Sequence, residues 1–342
     1  MDDNQTEYAE LEFIDEPIYI HGSLPLRIGT DCSGIEAPIQ ALRQLGIPHR
    51  HIWSSDIDKF CIQSIKANYD PERLYGDRNG SYPDGDITKR DHSTLPDIDL
   101  YICGFPCQPF SIAGDRKGFE DKRGNVFWSC LDVIKVKKPK YFILENVKGL
   151  LGHDKENKKD KYGRTWSIIW ENIQSLEEFG YNVKWKVMNT RDYGIPQNRE
   201  RVFIVGVKEK DFIWPEKIEM DNILGFIDYN DTHKYILQGN KYSKLYDLVP
   251  TESIFADLAF IGRYVIDNGN GYKSTTNYCN CLNTKGGLYN VKMNRYANIN
   301  EYLRLQGFCL NFKQIVSDSQ MKKQTGNSMS VNVIKSIFNQ LL

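Results

Sequence analysis

Ile98-Asp99-Leu100-Tyr101-Ile102-Cys103-Gly104-Phe105-Pro106-Cys107-Gln108-Pro109-Phe110-Ser111 is an apolar run that breaks into a turn around a cysteine. The run over 98–103 reads as a buried strand. Pro106 and Pro109 flank Cys107, fix the backbone there and rule out a helix through it. A cysteine held on a rigid turn at the C-terminal edge of a parallel sheet sits where α/β enzymes carry their reactive groups. Taken alone, such a turn more often holds a buried structural cysteine. The rest of the chain has to decide.

Working outward, residues 26–30 read as a first strand that enters Asp31-Cys32-Ser33-Gly34-Ile35-Glu36. Ile39, Leu42 and Leu45 then follow at helical spacing, with Gly46 as the stop. Residues 51–55 form a second strand ending at Asp56, and 59–68 a helix. Residues 85–87 close a third strand-like segment, and 140–144 lead to Glu145. An amphipathic helix covers 165–179, strands cover 183–188 and 202–207, and an amphipathic helix closes the chain from about 328. Strands alternating with helices of ten or more residues predict an α/β fold with a doubly wound, mostly parallel sheet. Past residue 207 the periodicity weakens, and Asn, Tyr, Gly and Thr accumulate. Residues 209–295 therefore read as part of a second, smaller, loop-rich domain.

The 342 residues, 40% of them hydrophobic, allow a full core and two domains. No run of 18 apolar residues predicts a membrane span, and no secretory signal is visible. Eight cysteines are scattered through strands and helices, which suits free thiols in a reducing compartment, hence a cytoplasmic or DNA-containing one. Cys279-Asn280-Cys281 lacks a second ligand pair, so no metal is expected. The net charge is −1, but residues 1–16 hold seven acids and no base, so the body of the chain is basic. Between Lys135 and Arg164, ten Lys or Arg face four acids. Such runs are often plain solvated faces; a basic body is also compatible with a phosphate-binding cleft.

A strand, a Gly turn and a helix N-terminus make a nucleotide-type site, because backbone N–H groups and the helix dipole face an anionic ligand. Here the turn is residues 31–34, with Gly34 in it. Asp56, about twenty residues beyond, is placed to accept ribose hydroxyls. Asp86 could accept an adenine amino proton, with Ile87 beside the ring. Either acid alone could equally be a loop acid or a helix cap.

Four pieces in order change the balance: the Gly104–Ser111 stretch, Glu145-Asn146-Val147, Gln197-Asn198-Arg199-Glu200-Arg201 and Gln324-Thr325-Gly326-Asn327-Ser328. Together they resemble the C5-cytosine DNA methyltransferases of the restriction–modification type, from about Leu26 to the C-terminus and weakly across 209–295. The resemblance implies the S-adenosylmethionine-dependent methyltransferase fold. It divides the chain into an acidic extension (1–25), a catalytic and cofactor domain (26–208 plus 323–342) and a target-recognition domain (209–322). It implies S-adenosylmethionine at Gly34, Asp56, Ile57, Asp86, Ile87, Gly104, Pro106, Asn327 and Ser328. Two positions depart from the family: Cys32 stands for an aromatic, and Glu36 for a glycine, where an acid could face the methionine ammonium.

The chemistry needs a cysteine, because a thiolate adding to C6 of cytosine makes C5 nucleophilic. Cys107 is that cysteine by resemblance. Glu145, if burial keeps it protonated, can donate to N3, and Arg201 can contact O2. Arg199 would hold the cleft and Asn146 the loop; outside this family, Glu145 and Arg201 would read as an ordinary salt bridge. The base must leave the helical stack. The family closes a loop after the cysteine over DNA, here residues 111–125 with Arg116 and Arg123 as phosphate contacts. Lys273, Thr275, Lys285, Gly286 and Gly287 fall in two loops placed to read the groove. Double-stranded DNA is the expected partner and a monomer the expected state. Two other readings stay open: a cytosine-C5 tRNA or RNA methyltransferase, although the Cys-Phe-Thr element of that branch is absent, and a catalytically inactive DNA-binding homologue.

Overall fold

The apolar stretch at 98–103 lies mid-sheet with helices over both faces. The chain is described by a computed structural model over residues 24–106, 125–157, 159–208, 210–231, 260–266, 269–274, 277–284, 288–290 and 295–342. The first part runs β1 (Leu26–Asp31), α1 (Ala37–Gln44), β2 (His49–Ser55), α2 (Lys59–Asn68), β3 (Arg73–Tyr75), β4 (Leu100–Gly104), α3 (Asn125–Lys137) and β5 (Tyr141–Val147). It continues through α4 (Arg164–Gln174), β6 (Tyr181–Asn189), β7 (Gln197–Asn198) and β8 (Glu200–Lys208). The sheet has seven strands in the order β3-β2-β1-β4-β5-β8-β6. All neighbours are parallel except β8, which runs against both β5 and β6.

β4, the first half of β5 and the middle of β8 read as unbroken apolar runs because both their faces are covered. Leu100 and Ile102 of β4, with Phe203, Val205 and Val207 of β8, face one core. Ile39 and Leu42 of α1 and Ile62 and Ile65 of α2 fill that side. Tyr101, Cys103, Val202 and Ile204 face the opposite core, against Phe127 and Leu131 of α3 and Trp166 and Ile169 of α4. The closing helix, α7 (Val331–Leu341), returns to the first core through Ile334, Ile337 and Phe338 and packs on α1.

Two of the helices and strands expected from the sequence differ in the structure: the α-helix expected over 165–179 stops at Gln174 and gives way to a 3₁₀ helix over Ser175–Phe179, and the third strand is displaced. Residues 85–87 are not a strand; the third strand is Arg73–Tyr75, paired with β2 at Trp53–Ser55. The reason is local. Asp84 Oδ1 accepts the Asp86 N–H, and Asp86 Oδ1 accepts both the N–H and the hydroxyl of Thr88. Such side-chain bonds compete with a ladder, and a 3₁₀ turn forms over Ile87–Lys89.

The region after Lys208 holds a four-stranded antiparallel sheet ordered β10-β9-β12-β13, with β9 (Phe260–Ile266), β10 (Gly269–Ser274), β12 (Leu288–Asn290) and β13 (Arg295–Tyr296). β11 (Cys279–Asn280) pairs instead with β7. A small core of Ile223, Ile227, Cys279, Leu282, Leu288 and Leu305 lies beside them. It includes α5 (Ile299–Gln306), whose Asn298–Glu301 capping box also presents Glu301 to the fully buried Arg295 at 2.9 and 3.0 Å. α6 (Asp318–Asn327) precedes the closing helix. No helix among the described residues is long and apolar enough to cross a membrane, and no group of three His, Cys, Asp or Glu side chains among them could hold a metal ion.

Candidate active site

The C-terminal ends of β1, β4 and β5 and the turn after α6 meet around one cavity. Thr30, Gly34, Glu36, Pro38, Gly104, Glu145, Asn327 and Ser328 all line it. The turn between β1 and α1 is unusual in its backbone: Cys32 (φ 50°), Gly34 (φ 58°) and Glu36 (φ 58°) alternate through the left-handed region. Glycine takes that conformation freely, whereas Cys32 and Glu36 take it at a cost. The N–H groups of this turn are largely spent within the protein: Ser33 donates to the Ser55 carbonyl, Gly34 to Asp56 and Glu36 to the Ser33 carbonyl.

Asp56, just past β2, braces the turn. Its Oδ2 accepts the Gly34 N–H at 2.9 Å and its Oδ1 the Asp58 N–H at 2.8 Å. Burial pushes the carboxyl up to about 6, against the pull of those two N–H bonds. Asp31, at the end of β1, is tied off elsewhere, to Arg90 at 2.7 Å and to the Tyr101 hydroxyl at 2.9 Å.

On the other side of the cavity, Glu145 lies in β5, two residues before the end of the strand. Its Oε1 is 3.2 Å from Arg201 Nε. Burial pushes the Glu145 carboxyl up, opposed by Arg201 and Arg199. Gly104 makes room for it: a Cβ there would lie 3.4 Å from Glu145 Oε2 and 3.0 Å from Met329. Asn146 Nδ2 donates to the Phe105 carbonyl at 3.0 Å, which holds the chain two residues before Cys107. Arg199 and Arg201, one residue apart, have different surroundings. Arg199 is buried and donates to the carbonyls of Leu282 (3.0 Å), Gly326 (3.1 Å) and Ser328 (2.6 Å), joining three segments distant in sequence.

The structure thus brings Gly34, Gly104, Glu145, Asn327 and Ser328 to one cavity, with Asp56 bonded to its turn. It does not bring all the expected cofactor residues there. Ile57 is 78% exposed, Ile87 is buried in the second core, and Asp86 caps its own 3₁₀ turn and pairs with Lys89 at 3.1 Å. Segment 85–86 still sits near β2, since the Ser55 hydroxyl donates to the Gly85 carbonyl. Pro106 is the last residue described before the turn, and Lys273, expected in a loop, lies instead in β10, paired with Gly262 of β9. Cys107, Arg116, Arg123, Thr275, Lys285, Gly286 and Gly287 lie outside the described residues.

Sequence reasoning missed Gln197 and Cys281. Gln197 Nε2 donates to the Leu305 carbonyl at 2.7 Å while its Oε1 accepts the Leu282 N–H, so it threads β7 to two later segments. Cys281 Sγ lies 3.3 Å from Arg199 Nη1 and 3.8 Å from Arg201 Nη2. Burial works against ionisation, yet the two guanidiniums bring this thiol below its ordinary value. Its neighbour Cys279 is buried in the small core and is pushed up by burial. The Cys-x-Cys spacing gave a signal, but for metal; Cys279 lies in β11 and Cys281 just past its end, where the chain has left the strand and the two thiols meet different surroundings.

Three kinds of comparison bear on this arrangement. The family described as "C-5 cytosine-specific DNA methylase" matches residues 31–342. The chain is 39% identical to the Type II methyltransferase M.NgoBI of Neisseria gonorrhoeae over 296 residues, 83% of this chain and 84% of that protein. It is 36% identical to the Type II methyltransferase M.HaeII of Haemophilus aegyptius, over 86% of each. Among solved structures, a methyltransferase encoded within an E. coli prophage aligns with a TM-score of 0.63 at 20% identity, covering 92% of this chain and 99% of that one. The S. pombe Dnmt2 methyltransferase aligns with a TM-score of 0.57 at 18% identity, covering 93% and 98%. Likeness at these identities shows a shared fold.

Proposed function

The chain belongs to the C-5 cytosine-specific DNA methylase family and is a DNA cytosine-5 methyltransferase; from that premise we propose that it methylates C5 of a cytosine flipped out of a short sequence in double-stranded DNA. The observation that carries the reading is the cavity in which Glu145 meets Gly34, Gly104 and Asn327 at the ends of three parallel strands. S-Adenosylmethionine, when bound, supplies an electrophilic methyl group. The residues present fit it: the first turn of α1, which opens on the cavity at Ala37, carries amides without helical acceptors, Asp56 offers a carboxylate beside the turn, and Glu36 keeps an unpartnered buried oxygen. Gly34, Asp56, Gly104, Pro106, Asn327 and Ser328 would hold it.

In this reading the Cys107 thiolate adds to C6 of the base, and the displaced ring electrons make C5 nucleophilic. Glu145 hands a proton toward N3 as charge grows there, and Arg201 faces O2. After transfer, a water molecule takes the C5 proton, the bond from C6 to the Cys107 sulfur breaks as the C5–C6 double bond re-forms, and the N3 proton returns to Glu145. Asn146 positions the stem of the Cys107 turn through the Phe105 carbonyl. Arg199 ties the 326–328 turn to 282. Arg116 and Arg123 would contact phosphates, and Lys273, Thr275, Lys285, Gly286 and Gly287 would read the groove. Residues 26–208 and 323–342 form the catalytic part and 209–322 the reading part. The relatives are named Type II methyltransferases, which favours a role in a restriction–modification pair.

Labelled S-adenosylmethionine, unmethylated genomic DNA and base-resolution mapping of 5-methylcytosine test the reading. Label at one short recurring sequence is the expected result. Label on RNA alone would replace DNA as the substrate, and label on neither would leave a DNA-binding protein without the reaction.

A further inference from the structure

Glu36 is the residue that the proposed mechanism leaves without a task, and its surroundings are unusual. It is the N-cap position of α1, with φ 58° and ψ 48°, yet its side chain makes no capping bond. The carboxylate is turned inward and is 0% exposed. Oε1 is saturated: it accepts the Thr30 hydroxyl at 2.6 Å and the Ser54 hydroxyl at 2.5 Å, and lies 3.4 Å from His51 Nε2. Oε2 is buried and accepts nothing. Among the described residues the His51 imidazole is the one basic side chain within 4 Å of Glu36; Asp56 and Asp31, the nearby acids, are held by the Gly34 N–H and by Arg90.

A carboxylate oxygen that is buried, unpaired and carried on a left-handed backbone is costly on three separate counts. The cost is met if a cation enters the cavity that Glu36 lines together with Gly34, Pro38, Asn327 and Ser328. Beside that oxygen, the Ala37 and Ile39 amides in the first turn of α1 have no acceptor within the helix, and the positive end of its dipole lies there. A donor set and a lone acceptor side by side suit a zwitterion, carboxylate toward the amides and ammonium toward the acid.

We propose that Glu36 Oε2 receives the α-ammonium of the amino-acid end of S-adenosylmethionine, so that this chain recognises that end with a side-chain charge where the resembling family carries a glycine. The inference rests on the reading of this cavity as the cofactor site. Its test is calorimetric binding, without DNA, of S-adenosylmethionine, S-adenosylhomocysteine, desamino-S-adenosylhomocysteine and 5′-methylthioadenosine. The wild type should bind the desamino compound at least tenfold more weakly than S-adenosylhomocysteine. Glu36→Gln, and Glu36→Gly whose backbone suits φ 58°, should weaken S-adenosylmethionine and S-adenosylhomocysteine at least tenfold and erase the penalty for lacking the ammonium. Both should leave 5′-methylthioadenosine within about twofold.

An equal loss for all ligands would make Glu36 a brace for the turn and overturn the assignment. A loss confined to S-adenosylmethionine would place the sulfonium, not the ammonium, against Oε2 and overturn it as well. A wild type that binds none of the four compounds would remove the cofactor reading itself, whereas tight wild-type binding indifferent to the ammonium would remove the Glu36 contact alone.

Discussion

The two walls of the cavity are built by different means. On the cofactor side, the turn 31–36 is held by hydrogen bonds closed within the protein: Gly34 to Asp56, Ser33 to Ser55, Thr30 to Glu36. On the base side, Arg201 pairs with Glu145, Cys281 lies within hydrogen-bonding reach of Arg199 and Arg201, and the two guanidiniums shift the ionisation of both Glu145 and Cys281. The first wall is a shape that backbone geometry imposes. The second is a balance of charges that a single proton can upset. Binding and reaction should therefore respond differently to mutation and to pH.

The sharpest division is expected at Cys107. Cys107→Ala should abolish methyl transfer while DNA affinity and cofactor affinity remain, and turnover above a few per cent of wild type would remove it as nucleophile. Glu145→Gln should lower kcat by about 10²–10⁴-fold with little change in cofactor affinity. Its pH dependence carries a sign. Glu145 must hold a proton to donate it, and burial raises its ionisation point, so kcat should fall as pH rises through that point, and Glu145→Gln should lose this limb. A matching loss of cofactor affinity would show that the two walls are not separable.

Arg199 gives a smaller effect of another kind. Three of its bonds run to carbonyls on distant segments, so Arg199→Met should cost about 3 kcal/mol of stability or more by leaving them unpaired. Denaturant unfolding measures this, and an unchanged midpoint would move Arg199 from scaffold to chemistry. The mildest test is titration of the first wall. With Asp56 raised to about 6, its carboxyl is protonated below that pH and ionised above it. Bonds to ribose hydroxyls favour the ionised form, so cofactor affinity should weaken as pH falls through about 6, by up to tenfold per pH unit. Near that pH, binding should release a proton, and calorimetry in buffers of different ionisation enthalpy detects it. Asp56→Asn should remove both effects.

Much of the fold was legible because burial on both faces leaves apolar runs, and helical spacing leaves Ile39, Leu42 and Leu45 one turn apart. The helix over 59–68 was read to the residue. The third strand was misplaced because Asp84, Asp86 and Thr88 satisfy the backbone locally, while the three-residue strand at 73–75 is too short to show a period. The residues of the cavity were legible only as motifs. That Gly34, Gly104, Glu145 and Asn327 would share one space follows from parallel strands ending at the same edge, which no local pattern states.

By itself the sequence determined the class of fold and the family, and it nominated residues for the chemistry, because periodicity and short motifs are local properties of the chain. The partners were decided by the tertiary structure alone. Arg199 reaches carbonyls of 282, 326 and 328, Cys281 comes to rest between two arginines, and Glu36 turns inward with one oxygen satisfied and the other empty. Those outcomes depend on contacts between segments as much as 129 residues apart, and only packing sets which of them meet.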